Sequence, residues 1–181
     1  MAAQAGTRAG LDARSVPDPL AQSGLSRLLI AAVRVVVALL WIQNSSWKRP
    51  PDFRALRGFT QDGVDHPVLA PWAWLVQHVI LPNFTFFGWV TLIVEASLGA
   101  FLMIGLVTRL WALVGVGQTT AITLSVLNTP GEWAWSYFLM LAVHVVLFAT
   151  AAGRFYGLDG VLRAGWLRRP GPASRWLVRL S

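Results

Sequence analysis

Four long apolar runs limit what this chain can fold into more than any other feature of its sequence. Each run is close to the ~20 residues that an α-helix needs to cross ~30 Å of hydrocarbon. Inside a bilayer, only helices and closed barrels satisfy all of their own backbone hydrogen bonds. The sequence therefore predicts an all-α integral membrane four-helix bundle. The predicted spans are residues 27–46, 84–106, 110–127 and 133–152.

The composition agrees with a membrane environment and excludes several kinds of site. Of the 181 residues, 55% are hydrophobic and 13% are charged, whereas a soluble domain carries about 25% charged residues. The chain has no cysteine, which excludes disulfides, iron–sulfur clusters and cysteine nucleophiles. Its three histidines lie far apart, so we expect no metal site. The net charge of +7 accompanies apolar runs, which favours a lipid surface over nucleic acid as the partner.

Basic residues are distributed unequally between the two sides of the predicted bundle. Ten of the fifteen lie in the N-terminal tail, the turn between the second and third runs, and the C-terminal segment, which share one side. Four lie in the loop between the first and second runs, on the opposite side. Because short loops rich in lysine and arginine stay in the cytoplasm, we predict that both termini are cytoplasmic.

The segments outside the predicted spans have different compositions. Residues 1–26 are rich in Ala, Gly, Ser and Pro and predict a flexible cytoplasmic tail ahead of a transmembrane domain over 27–160. The long outer loop, 48–83, contains an apolar stretch at 72–81 that is too short to span, so we predict a short interfacial helix there. Residues 161–181 alternate arginine with Trp and Leu. This pattern predicts a basic amphipathic cytoplasmic tail that anchors on anionic lipid or docks a protein partner.

Each predicted span carries one strongly polar residue. These residues are Arg34, Glu95, Gln118 and His144. At a rise of 1.5 Å per residue, all four fall within a band of ~11 Å across the membrane. Charged side chains at such depth are costly unless they pair or face a wet cavity. We therefore expect an Arg34–Glu95 ion pair, with Gln118 and His144 completing a buried polar network.

Three interpretations of this network stay open. The first is a purely structural role that fixes the register of the helices. The second is a quinone site in which Glu95 and His144 exchange protons with the quinone and Trp41, Tyr137 and Phe138 contact its ring. The third is a proton relay in a small proton-coupled transporter, which the lack of an obvious inverted repeat in the sequence disfavours.

Several stretches resemble signatures of the DoxX/DoxD-like membrane proteins. The run IVEASLGAFLMIGLVTRLWAL, residues 93–113, resembles the family pattern E-x-x-x-G-x-x-L-x-x-G-x-x-T-R-x-x-A. The stretch AAGRFYGLDGVL, residues 151–162, resembles the exit of the family's fourth helix. The segment from Trp41 to Lys48 is similar to the aromatic–lysine end of the family's first helix. The residues that match family positions are Arg34, Glu95, Arg109, Gly153, Arg154 and Asp159.

The resemblance implies a four-helix, multi-pass protein of the bacterial inner membrane that works in a complex with protein partners. Some relatives are the small subunit of thiosulfate:quinone oxidoreductase. The resemblance therefore implies a membrane subunit of a quinone-linked redox complex, with quinone as the cofactor and no covalently bound group. Because the chain lacks cysteine, any persulfide chemistry must lie on a partner. The alternative is a non-catalytic assembly or scaffold subunit of a membrane complex.

The predicted site combines the network with the resemblance. The candidate catalytic residues are Glu95 and His144. The candidates for quinone binding or for the polar network are Arg34, Trp41, Gln118 and Tyr137. The outer-rim candidates for an anionic substrate such as thiosulfate are Trp47, Lys48, His66 and His78. We also expect Asp159 to cap a short helix after the fourth span.

Overall fold

The computed structural model describes residues 23–168 and 171–181, and within these ranges every regular element is helical. The predicted all-α class is confirmed. A π-helical turn, Val76–Ile80, follows the third α-helix, and a 3-10 turn, Ala152–Arg154, follows the sixth. The α-helices are α1 Gly24–Ser46, α2 Arg54–Asp65, α3 Ala70–Leu75, α4 Phe84–Ile104, α5 Thr108–Val126, α6 Ala134–Thr150, α7 Leu158–Arg168 and α8 Pro172–Leu180.

Two helices in the described part of the chain, α1 and α4, are long and apolar enough to cross a membrane. Helix α6 is also apolar but has 17 residues, and α5 has 19 residues that include Gln118 and four threonines. All four helices overlap the runs identified in the sequence. Residues 1–22 of the predicted N-terminal tail lie outside the described residues. Helix α1 begins at Gly24, and the Ser23 side chain caps it by accepting a hydrogen bond from the Ser26 N–H at 3.1 Å.

The long apolar helices pack as two antiparallel pairs. Helix α1 lies along α4, α5 lies along α6, and contacts between α4 and α5 join the pairs, whereas α1 and α6 touch only slightly. Gly99 lets α1 and α4 approach closely, because a Cβ at this position would lie 2.6 Å from the Ile42 side chain and 3.3 Å from the Ala38 carbonyl oxygen. Close packing through small residues is the usual way in which helices associate in lipid.

The segment between α1 and α4 folds onto the end of the two pairs, which we call the loop end. The sequence predicts one short helix at 72–81, but the structure contains α3 with its π turn and also α2, which the prediction missed. Helix α2 contacts α5 closely, since a Cβ on Gly63 would lie 3.2 Å from the Ser125 Cα. Four apolar side chains form a separate small core here, and they are Phe53, Val76, Leu81 and Phe84.

At the opposite end, residues 105–107 connect α4 with α5, and we call this the turn end. Gly105 closes α4 in the left-handed conformation, with φ 67°. The Arg34 guanidinium donates hydrogen bonds to the carbonyl oxygens of Leu102, Met103 (2.8 Å) and Tyr156 (3.3 Å). It therefore binds the C-terminus of α4, where the last carbonyl groups lack helical partners and the helix dipole is negative.

This position of Arg34 shows that the predicted Arg34–Glu95 ion pair is wrong. Because α1 and α4 are antiparallel, Arg34 lies opposite Leu102, which is seven residues or about 10 Å along α4 from Glu95. The unpaired carbonyl groups at the end of α4 are nearer acceptors than the Glu95 carboxylate. Glu95 has a different cationic partner at the loop end, which is described below.

Asp159 also contributes to the turn end, although not as predicted. It lies in the first turn of α7, and its carboxylate accepts hydrogen bonds from the backbone N–H groups of Val107 (2.7 Å) and Thr108 (2.9 Å). It thus caps the N-terminus of α5, whereas the sequence predicts that it caps the short helix after the fourth run. Gly153 is packed against this cap, since a Cβ there would overlap the side chains of Thr108 and Asp159.

The C-terminal segment forms two helices rather than one continuous tail. Helix α7 packs against α8, and α8 also contacts α5. The side chain of Trp176 is exposed on α8, and Arg179 lies over its ring at 5.9 Å from the ring centroid. Arg169 lies outside the described residues, and the basic amphipathic character of this segment stays a prediction.

Candidate functional site

A cavity of about 1510 Å³ lies at the loop end, between the two helix pairs and beneath the segment that contains α2 and α3. Its wall is mostly apolar and aromatic, and polar side chains reach it from α1, α2, α4, α5 and α6. The cavity also extends between α1 and α6, where the two helices touch only slightly. The polar and charged residues discussed below that line it are Lys48, Glu95, Gln118, Glu132, Tyr137 and His144.

A buried ion pair between Lys48 and Glu95 is the most polar feature of the cavity wall. The Lys48 Nζ lies 2.5 Å from the Glu95 Oε2, and the two side chains are 2% and 0% exposed. Lys48 also donates to the Asn44 carbonyl oxygen at 2.8 Å, and its Nζ lies 4.2 Å from the centroid of the Trp47 ring. The lysine is therefore held by the last turn of α1 and directed at α4.

Gln118 of α5 completes this group by donating from Nε2 to the Glu95 Oε1 at 3.1 Å. The other carboxylate oxygen, Oε2, lies within ion-pair distance of Lys48 but receives no hydrogen bond of good geometry from the described residues. Burial lowers the pKa of Lys48 below its usual value, and the neighbouring Glu95 carboxylate opposes this shift. Removing one partner of such a pair leaves a buried, uncompensated charge.

A second polar contact, between Trp41 and His144, joins α1 to α6 in the wall of the same cavity. The indole Nε1 donates to the His144 Nε2 at 2.9 Å, and the rings meet edge to face with centroids 5.7 Å apart. The His144 Nδ1 lies 2.6 Å from the Met140 carbonyl oxygen. Because an indole N–H can only donate and a carbonyl can only accept, these contacts assign a neutral imidazole with its proton on Nδ1.

Gly115 of α5 makes room for this histidine. A Cβ at position 115 would overlap the imidazole ring of His144. Elsewhere in the cavity wall, the Tyr137 hydroxyl donates a short hydrogen bond to the Glu132 carboxylate. Tyr137 and His144 are seven residues apart, so they lie on the same face of α6 at a separation of about 10 Å.

The structure brings together most of the residues predicted from the sequence. The predicted residues that line the cavity are Trp41, Trp47, Lys48, Glu95, Gln118, Tyr137 and His144. Arg34 lies at the turn end, while Phe138 is exposed and lies outside the cavity lining. His66 follows the last residue of α2 and also lies outside this lining, and the exposed His78 stacks on Trp74 with centroids 5.0 Å apart.

The sequence did not predict the role of two residues in this site, Lys48 and Glu132. Lys48 follows the end of the first apolar run, where a lysine usually reaches water, yet it is the partner of Glu95. Glu132 was not selected, although its position in the turn before α6 places it beside Tyr137. Among the described residues, no group of three or more His, Cys, Asp or Glu side chains lies close enough together to hold a metal ion.

Comparison with known proteins identifies the family. The model of the family described as "TQO small subunit DoxD" matches residues 68–168, which include Glu95, Gln118, Tyr137 and His144. No curated protein and no solved structure matches the chain. The matched region covers more than half of the sequence and, together with the apolar helices, indicates a membrane protein. The chain thus belongs to the DoxD family, which is named for the small subunit of thiosulfate:quinone oxidoreductase.

Proposed function

We propose that this protein is the quinone-binding membrane subunit of a complex similar to thiosulfate:quinone oxidoreductase. In this proposal α1, α4, α5 and α6 cross the bacterial inner membrane as a four-helix bundle, and both termini are cytoplasmic. The unequal distribution of basic residues supports this orientation. The observation that carries the proposal is the Lys48–Glu95 pair, buried in the wall of a large, mostly apolar cavity.

The cavity offers the kinds of contact that a quinone headgroup needs. A quinone is a flat apolar ring with two carbonyl oxygens, so it requires hydrogen-bond donors at its edge and apolar or aromatic side chains around its ring. Lys48 and Gln118 supply N–H donors in the cavity wall, and Trp41 and Tyr137 supply rings. We propose that these four side chains bind the headgroup and that Glu95 lies against one of its carbonyl groups.

Proton transfer is the chemistry that this site adds. Reduction of a quinone consumes two electrons and two protons, so a proton-carrying group must lie close to its carbonyl oxygens. Glu95 is our first candidate, because its carboxylate lies in the cavity wall and contacts the Lys48 ammonium, which carries a proton. His144 is the second, but both of its nitrogens are engaged, and it must release Trp41 before it can exchange a proton at Nε2.

The electron donor is proposed to be thiosulfate, oxidised with the help of partner subunits. The chain has no cysteine of its own to carry sulfur. Trp47 and Lys48 remain our candidates for binding the anion at the loop end, because both line the cavity. His66 and His78 lie outside the cavity lining. In this proposal they contact thiosulfate only before it enters the cavity.

The proposal is tested by quinone binding to the purified full chain in detergent. The probe is a tail-less dimethoxy-methyl-benzoquinone, and the readout is quenching of tryptophan fluorescence, since Trp41 lines the cavity. We expect saturable binding that is weakened about tenfold or more, or 1.4 kcal/mol, in a variant that combines Lys48→Met with Glu95→Gln. The matched control is Asp62→Asn, which makes the same acid-to-amide change on α2, outside the cavity lining.

Absence of saturable binding to the unaltered chain would overturn the proposal, as would equal binding by the double variant. A second readout uses the native complex, in which thiosulfate-dependent quinone reduction should be lost with the double variant and kept with the control. The double substitution removes both charges together, so it avoids the uncompensated buried charge that either single change leaves.

A scaffold role is the second candidate, and one observation favours it. Helices α7 and α8 present an exposed surface with Trp176 and Arg179, which is suited to a protein partner or to anionic lipid. If the chain is only a scaffold, the complex should assemble normally with the Lys48 and Glu95 substitutions, and quinone should not bind the isolated chain.

A further inference from the structure

The cavity continues from the polar group along the outer face of α1 as an apolar seam between α1 and α6. On α1 the seam is lined by side chains spaced i, i+4, i+7 and i+11, which form one stripe along the helix. The stripe consists of Leu29, Val33, Val36 and Leu40. On α6 it is lined by Leu139 and Val143. From Leu29 to Leu40 the stripe is about 16 Å long.

The seam is open because its two helices pack against other partners. Helix α1 packs mainly against α4, and α6 packs mainly against α5. The Trp41–His144 hydrogen bond is a direct link between α1 and α6, and both residues line the same cavity as the Lys48–Glu95 pair. The stripe on α1 is 41–56% exposed, so these side chains face the surroundings of the protein and the cavity at the same time.

From this continuity we infer that the seam holds the isoprenoid tail of a membrane quinone, which enters sideways from the bilayer between α1 and α6. The inference rests on the proposed function and adds to it the class of quinone and its path. One cavity contains both a polar group for a headgroup and an apolar channel leading to the lipid phase, so the ligand that matches both is an amphipathic molecule with a long hydrocarbon chain. A tail-less, water-soluble quinone would leave the seam empty.

The experiment compares two quinones on three forms of the full chain in detergent. The probes are the tail-less dimethoxy-methyl-benzoquinone and the same headgroup with a decyl chain, both followed by quenching of tryptophan fluorescence. The seam variant combines Val33→Phe with Val36→Phe, which fills the channel. The matched control combines Leu28→Phe with Leu39→Phe, which are 54% and 52% exposed on α1 and lie outside the cavity lining.

We expect the decyl quinone to bind the unaltered chain and the control at least about tenfold more tightly than the tail-less quinone, because the methylene groups of its chain are buried in the apolar seam. The seam variant should lose this advantage and bind both quinones with the affinity of the tail-less one. Phenylalanine adds no new indole, so the fluorescence readout stays comparable among the three forms.

Two results would overturn the inference while leaving the proposed function intact. One is equal affinity for both quinones in the unaltered chain. If phospholipid also co-purifies with the unaltered chain and not with the seam variant, the seam holds an ordinary lipid chain instead. The other is an unchanged tail advantage in the seam variant. If the unaltered chain binds neither quinone, the proposed function itself fails.

Discussion

The turn end and the loop end of this protein both contain buried charged side chains, but the two ends bind those charges differently. At the turn end, Arg34 and Asp159 contact backbone carbonyl and N–H groups at helix termini. At the loop end, Lys48 and Glu95 contact each other and Gln118, beside a cavity of about 1510 Å³. At the turn end, Gly105 and Gly153 pack tightly against these side chains, whereas the loop end has the open space of the cavity.

The difference separates charges that hold the fold from charges that can meet a ligand. Backbone groups at a helix end cannot move away without unwinding the helix, so Arg34 and Asp159 have fixed partners. A side-chain partner can rotate, and a cavity gives it room. We therefore propose a structural role for the turn end and a binding role for the loop end, and the predictions below test this division.

The largest effect is expected from breaking the buried ion pair on one side only. Glu95→Gln should lower the free energy of unfolding by about 3–5 kcal/mol, because Lys48 is left buried without a counter-charge. Adding Lys48→Met should restore most of the loss. Unfolding in a denaturing detergent, followed by circular dichroism, measures both variants, and a double variant no more stable than the single one would contradict the pairing.

The turn end should show a smaller loss of stability without a loss of binding. Asp159→Ala removes the acceptor for two backbone N–H groups and should cost about 1–3 kcal/mol. The same detergent titration measures this change. Quinone affinity should stay within about twofold of the unaltered chain, since Asp159 lies outside the cavity lining. A loss of affinity as large as that of the Lys48 and Glu95 double variant would contradict the proposed difference between the two ends.

His144→Phe tests the link between α1 and α6. The change leaves the Trp41 N–H without its acceptor, which should lower the free energy of unfolding by about 1–3 kcal/mol. The loss should be smaller when a bound quinone accepts that hydrogen bond instead. The readout is the melting temperature with and without the tail-less quinone. A variant whose stability and quinone affinity both match those of the unaltered chain would show that the Trp41–His144 contact has neither role.

The smallest effect is expected for an exposed ion pair that serves as a contrast to the buried one. Arg54 and Asp52 lie 2.6 Å apart, with the arginine 90% exposed. Arg54→Gln should change the free energy of unfolding by less than about 1 kcal/mol, as is usual for surface pairs. A loss comparable to that of Glu95→Gln would mean that the loop end is sensitive to any charge change, and the special position of Lys48 and Glu95 would then be unsupported.

The helical architecture could be predicted because the length of an apolar run decides whether it can cross hydrocarbon. The gathering of Glu95, Gln118, Trp41 and His144 around one cavity also follows from the cost of polar groups in lipid. The partner of Glu95 could not be predicted in the same way. Depth estimates count residues along each helix and ignore the helix-end carbonyls that compete for Arg34.

Helix α2 and the role of Lys48 were hidden for a related reason. Both lie in the segment between the apolar runs, where the sequence contains several prolines and charges and no long hydrophobic pattern. Their positions depend on contacts with distant residues, such as Ser125 for α2 and Glu95 for Lys48. Contacts of this kind are set by tertiary packing, which a local pattern does not contain.

The most direct test of the division between the two ends is a comparison of stability and quinone affinity in the same two variants. The first combines Lys48→Met with Glu95→Gln, and the second is Asp159→Ala. We predict that the first keeps most of its stability and loses affinity for the tail-less quinone about tenfold or more, while the second loses stability and keeps its affinity. The opposite pattern, with binding lost at the turn end and retained at the loop end, would contradict the account.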